Sequence, residues 1–180
     1  QHNPLISTIN VWTFEISLNS ALYASDSSLL VVKGVPSWLH GKWTSDRMLR
    51  ASVDTGDVRL LLVSDKNGLI TFDITRDSVI KSNTLYLLSI TFTNPSTAQT
   101  PAHLEIKTFG SFEIPYTPLL AREFEAYGVE GGSVPGLVIV PVFLSASIFQ
   151  TVPLAGARNR LNIHFTTNAA FSLGSLVGIG

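Results

Sequence analysis

Apolar side chains recur at every second position through several stretches of this chain, and that period decides the fold class before any single residue is considered. In INVWTFEISL, Trp12, Phe14, Ile16 and Leu18 share one face, and Val11, Thr13, Glu15 and Ser17 the other. Residues 89–93 and 102–106 repeat the alternation of a half-buried strand. Between them stands Asn94-Pro95, where proline removes a ladder donor and the asparagine side chain is able to close a turn locally. The pattern predicts strands at 9–18, 28–35, 57–63, 69–74, 84–93, 101–108, 136–144, 159–167 and 171–179. They are punctuated by turn residues such as NSAL, DTGD, SDKNG and NPSTAQ. Many short strands so separated imply an all-β sandwich. Helix is scarce. SDRMLRAS, 45–52, is expected to give a turn or two capped by Ser45 or Asp46, and TPLLAREFEAYGVEGG, 117–132, is either a short helix or an irregular crossover. Gly131 and Gly132 mark an expected boundary between the sandwich and a smaller carboxy-terminal unit.

Composition excludes several roles. Of the 180 residues 45% are hydrophobic and 14% charged, against roughly 25% charged in an ordinary soluble domain. Much apolar surface therefore has to be hidden, within the chain or against other chains. Twelve basic and thirteen acidic residues, scattered along the chain, give no basic stripe for phosphate backbones, so nucleic acid is not an expected partner. GLVIVPVFLSASIF is broken by Pro141 and studded with serine, so no membrane span is expected. Cysteine is absent, which removes thiol chemistry, disulfides and thiolate metal sites. A chain that starts at Gln1 rather than methionine is either a fragment or a processed product, and signal-peptide removal would produce such an end, so secretion is permitted. Asn94-Pro95-Ser96 carries the excluded proline, and any sugar would sit on Ser or Thr, for example near PSTAQTPA.

Residues 14–34 and 161–180 echo each other. Each is read as a strand, an asparagine, a short apolar patch, a serine-rich turn and a second strand ending in glycine. With Asn19 set against Asn168, the second copy is three residues shorter in the turn. Two such openings imply tandem units, the second only begun.

Four stretches carry a resemblance: SLLVVKGV; GDVRLLLVS; LSITFTNPSTAQTPAHLEIKTFG; and FLSASIFQTVPLAGARNRLNIHFTTNAAFSLGSLVGIG. Together they resemble the tandem immunoglobulin-like repeats of large secreted surface proteins of algae and other protists. The most specific pieces are the strand entering Asn94-Pro95 with Gln99 following, and Phe149-Gln150, Gly156 and Asn159 leading into Ile163 and Phe165. The chain also resembles extracellular fibril subunits in which a terminal strand of one protomer completes the sandwich of another. The resemblance implies an immunoglobulin-like β-sandwich of extracellular architecture and names no reaction.

Residues able to perform chemistry are few. Asp65-Lys66-Asn67-Gly68 opens like a calcium loop but continues as the strand LITFD, so a hairpin turn on Asn-Gly is expected instead. His103 and Glu105 lie two apart on one strand face, better read as solvated than as metal ligands. No G-x-S-x-G and no phosphate-cradling glycine loop is visible. Trp38 and Trp43, in PSWLHGKW, form a possible sugar-stacking platform or, equally, packing for a loop.

The expectation is a non-catalytic structural subunit of an extracellular or cell-surface filament or array, a homopolymer built by strand complementation, with no cofactor and no metal. The alternative is a carbohydrate-binding sandwich module that contacts surface glycans through Trp38 and Trp43. Residues 1–18 form an amino-terminal strand, 19–116 the immunoglobulin-like sandwich, and 117–180 a crossover and carboxy-terminal β unit. Trp12, Phe14, Ile16 and Leu18 mark the candidate donor strand, to be received by another protomer or by its own sandwich. If that strand is not the donor, the hairpin of Ile163, Phe165 and Phe171 is the next candidate.

Overall fold

In the computed structural model, residues 1–45, 48–51, 56–75, 78–110, 112–121, 124–171 and 174–178 are described. The alternating runs become the strands that carry the core. These are β1 (Ile9–Ile16), β2 (Leu22–Tyr23), β3 (Leu29–Lys33), β4 (Trp43–Thr44), β5 (Met48–Ala51), β6 (Val58–Lys66) and β7 (Leu69–Ile74). There follow β8 (Val79–Ile80), β9 (Tyr86–Thr93), β10 (Glu105–Phe109), β11 (Ile114–Pro118), β12 (Phe143–Gln150) and β13 (Leu161–Thr167). The protein is all-β, and among the described residues no helix is long and apolar enough to cross a membrane.

A single antiparallel sheet in the order β1-β9-β5-β6-β7-β3-β10-β11, with β4 also on β9, curls over on itself. One leaf is β1, β9, β4 and β5; the other is β6, β7, β3, β10 and β11. The short pairing of β5 with β6, Met48 against Arg59 and Leu49 against Val58, carries the sheet round the bend. Between the leaves lies one apolar core holding Trp12, Phe14, Leu88 and Phe92 from the first and Leu30, Leu60, Ile70 and Phe72 from the second. Trp12 meets Phe92 edge-on, ring centroids 5.2 Å apart, and Trp43 reaches across to Phe72 at 6.0 Å. Such T-shaped contacts set the negative face of one ring against the positive edge of the other.

The period-two reading of 84–93 holds residue by residue: Tyr86, Leu88, Ile90 and Phe92 are buried while Leu87, Ser89 and Thr91 lie half-buried on the other face. The turn between β6 and β7 also falls where the sequence puts it, with positive φ at Asn67 (56°) and Gly68 (75°), the two positive angles that the preferred two-residue hairpin turn requires.

Other expectations are corrected. Within 45–52, residues 46, 47 and 52 lie outside the described ones, and 48–51 form strand β5 rather than a helical turn. Leu49, fully buried, is drawn into the bend of the sheet, and that packing overrides a local propensity worth only tenths of a kcal/mol per residue. The described part of 117–132 is β11's end followed by turns, with positive φ at Tyr127, Gly128 and Gly131, a conformation no helix accommodates. The strand expected at 136–144 begins only at Phe143, after Pro141, and before it Val138 and Ile139 make isolated bridges to Gln99 and Leu5. At 171–179, Ser172, Leu173 and Ile179 lie outside the described residues and the remainder form no strand.

Candidate assembly surface

The carboxy-terminal strands pair only with each other among the described residues. In β12–β13, Ala146 faces Phe165, Ile148 faces Ile163 and Gln150 faces Leu161, with an irregularity between Phe143 and Ser145 that leaves Phe143 opposite Thr167. Because residues directly opposite share a face, one side of the ribbon collects Phe143, Ala146, Ile148, Leu161, Ile163 and Phe165, with Gln150 and Thr167 at its two ends. The other collects Ser145, Ser147, Asn162, His164 and Thr166, with Phe149 tilted against His164 at 5.1 Å. The apolar side is organised: Phe165 meets Phe143 at 5.6 Å and Phe171 at 5.9 Å, both edge-on. Nothing covers it. Phe143 is 54% exposed, Ile148 58%, Leu161 62%, and Ile163 and Phe165 42% each. A lone two-stranded ribbon is marginal in water, and an amphipathic one requires a layer over its apolar face.

The echo between the two halves identifies that face. Setting Asn19 against Asn168 places Trp12, Phe14, Ile16 and Leu18 opposite Leu161, Ile163, Phe165 and Thr167. The first four are buried in the sandwich core, whereas Leu161, Ile163 and Phe165 are exposed and Thr167 is half-buried. β13 therefore carries the core-facing pattern of β1 without a core behind it.

The base of the ribbon is fixed to the sandwich. Asn168 accepts from Val142 N–H (2.8 Å) through Oδ1 and donates through Nδ2 to Val140 O (2.9 Å), closing the ribbon's root. The preceding segment joins the amino-terminal loop, Ile139 N–H to Pro4 O at 2.7 Å, and the loop after β9, with Gln99 and Val138 exchanging two backbone bonds of 2.8 and 3.0 Å. That loop is held by Asn94. Its side chain does not close a local turn, as the sequence suggested, but donates to Asn3 O (2.8 Å) and Leu5 O (2.7 Å) and accepts from buried Asn10 (3.0 Å). Two buried amides satisfied in this way tie β1, β9 and the amino-terminal loop into one block.

Trp12, Phe14, Ile16 and Leu18, expected either as a donor strand or as the first strand of their own sandwich, lie apart from this ribbon. β1 pairs with β9 along its whole length, from Ile9 against Thr93 to Ile16 against Tyr86, and Trp12, Phe14, Ile16 and Leu18 are at most 8% exposed. In this chain the segment is the first strand of its own sandwich, so residues 1–18 and 19–116 share one core. Trp38 and Trp43 are half-buried and pack against that core, Trp38 against Phe92 at 5.7 Å and Trp43 against Phe72 at 6.0 Å.

Sequence reasoning missed what Asp65 does. Its Oδ2 accepts from Gly41 N–H (2.8 Å) and Trp43 Nε1–H (2.6 Å), and its Oδ1 meets His40 Nδ1. Gly68 N–H donates to His40 Nε2 (3.1 Å), so Nδ1 carries the proton and donates to the carboxylate. Burial pushes the Asp65 carboxyl up, but the bonds from Gly41, His40 and Trp43 together outweigh it and hold the group below its ordinary value. The arrangement looks like half of a catalytic triad, yet the nitrogen that would act as base is occupied by Gly68 N–H, so the pair pins the loop 37–43 to the β6–β7 turn. Glu105 is likewise in use, bonded to Lys33 Nζ at 2.8 Å. Comparison with protein-family models, with curated proteins and with solved structures finds no match for this chain.

Proposed function

We propose that this protein is a structural subunit of an extracellular or cell-surface filament or array, assembled by strand complementation between copies of the chain, with the β12–β13 ribbon as the assembling element. The observation that supports this is the uncovered apolar face of Phe143, Ile148, Leu161, Ile163 and Phe165, patterned like the buried face of β1 and held on a fixed base. An edge that offers unpaired backbone groups together with apolar side chains is a template for another chain. The low charge and the immunoglobulin-like resemblance point the same way, and the role is architectural rather than catalytic.

The test is electron microscopy and sedimentation of the purified chain over a range of concentrations, beside a variant with Ile148, Ile163 and Phe165 all changed to Thr. Regular polymers of the parent that the variant fails to form are expected. Parent protein that stays monomeric at every concentration overturns the proposal, and monomers retained on polysaccharide would favour the glycan-binding alternative.

A further inference from the structure

Resting on that reading, we infer that the surface receiving the ribbon is the seam where the two ends of the curled sheet approach each other, and that the occupant is the β12–β13 ribbon of a second copy laid against β1 at Thr13, on the side that pairs with no strand among the described residues. The sheet order begins at β1 and ends at β11, so these two strands leave an open side. A groove of about 590 Å³ lies there, with Trp12 and Phe14 on the β1 side, Leu104 and Leu119 on the β10–β11 side, and Phe124 and Leu120 also lining it.

The two edges are not equivalent. β11 carries Pro115 and Pro118 within five residues, which removes ladder donors and blunts it. β1 has eight residues and no proline. Its outward direction is fixed by Val11, whose N–H is taken by Asn10 Oδ1 (2.8 Å) and whose carbonyl is taken by His2 N–H (3.1 Å), so neither points to β9. Peptide groups alternate in direction along a strand, so Thr13, two residues on, aims its own N–H and carbonyl into the seam.

The ribbon fits such a site. Neither β12 nor β13 contains proline or an Asp, Glu, Lys or Arg, so both can enter a ladder without burying a full charge. Laid beside β1, the ribbon's apolar face would continue the layer that Trp12 and Phe14 begin and close the groove. Donor and acceptor are different surfaces of one chain, so the contact is head-to-tail and propagates wherever its rotation does not close a ring. Hairpin packed on hairpin would instead be self-complementary and stop at a dimer.

Complementation between two full-length variants separates these cases. The first carries Ile148, Ile163 and Phe165 changed to Thr, which spoils the ribbon and leaves the seam. The second carries Thr13→Pro, which removes a seam-facing donor that β9 does not use and leaves the ribbon. Leu120→Arg, at the groove rim and 91% exposed, spoils the seam without touching the core and is used if the proline variant is misfolded. Each variant alone is expected to remain monomeric, and an equimolar mixture to give a one-to-one heterodimer that does not lengthen, read by sedimentation velocity. A folded seam variant that polymerises like the parent, or a mixture without heterodimer, overturns the assignment of the seam while the ribbon keeps its role. A ribbon variant that polymerises like the parent overturns the proposed function itself.

Discussion

Changing Ile148, Ile163 and Phe165 together to Thr tests the central claim quantitatively, because threonine keeps strand preference while removing the apolar contact. Full burial of a large aliphatic or aromatic side chain is worth about 1.5–3 kcal/mol. The three residues still expose between 42% and 58% of their surface, so about half of that, roughly 0.7–1.5 kcal/mol each, remains to be gained in an assembly. The triple variant therefore forfeits about 2–4.5 kcal/mol of association, a rise of roughly 30- to 1,500-fold in the critical concentration at 1.4 kcal/mol per decade. Light scattering across a dilution series reads that rise directly. The thermal midpoint of the isolated protomer should move little, because exposed substitutions usually fall within about 0.5 kcal/mol. An unchanged critical concentration would refute the reasoning. So would a fall in midpoint as large as a core truncation causes, since it would show that the face is already packed within the protomer.

Ile90→Ala or Phe92→Ala should each cost about 2–5 kcal/mol in chemical denaturation, whereas Thr91→Ala should cost under about 1, and equal losses would mean that β9 is misread. The held-down Asp65 carboxyl contributes stability that is complete above the unfolded value of about 3.9 and is lost as pH falls through the lower folded value. Asp65→Ala should thus lower stability at pH 7 by about 1.5–3 kcal/mol and flatten the acid limb below pH 4, and an unaltered limb in pH-dependent unfolding would count against the node. Ser28 Oγ is fully buried and has no hydrogen-bond partner among the described residues. Ser28→Ala is therefore expected to raise the free energy of unfolding by up to about 1–2 kcal/mol in chemical denaturation, and a drop would show that the hydroxyl is satisfied.

The sequence was legible where local pattern and tertiary packing agree. β7 falls at the expected 69–74, and β9 shows its alternation because one face meets the core along its whole length. The pattern fails for β4, two residues long, since so short a segment has no period to detect. It fails for β5 because the bend of the sheet, not the segment's own preference, decides its conformation. β12 was displaced toward 136–144 because the apolar run GLVIV is denser than FLSASIFQ, although Pro141 divides them and the ladder begins only after it. The ribbon's face was partly readable, since Ile163, Phe165 and Phe171 stood as the second candidate. What the sequence could not give was which of two similar strands finds a core. Trp12, Phe14, Ile16 and Leu18 are patterned like Leu161, Ile163 and Phe165, each strand has one neighbour beside it, and what separates them is the facing leaf of Leu30, Leu60, Ile70 and Phe72 that packs on β1.

The same comparison gives a polar pair, Asn94 and Asn10, a part in the proposed assembly through apolar contacts. An arm that swings freely loses much of its binding energy to the entropy of being held, so a projecting ribbon is useful only if its root is rigid. Asn94 fixes Asn3 and Leu5, the loop they belong to holds Ile139, and Asn168 then closes the root between Val140 and Val142. Each link is a hydrogen bond from a short polar side chain or from the backbone, so the path from the end of β9 to the start of β12 involves no long flexible side chain. The turn at Asn94-Pro95 thus ends a strand and also orients the carboxy-terminal ribbon relative to the edge of β1. In a head-to-tail polymer that relation sets the rotation between successive copies, and hence whether the contact closes into a ring or continues as a fibre.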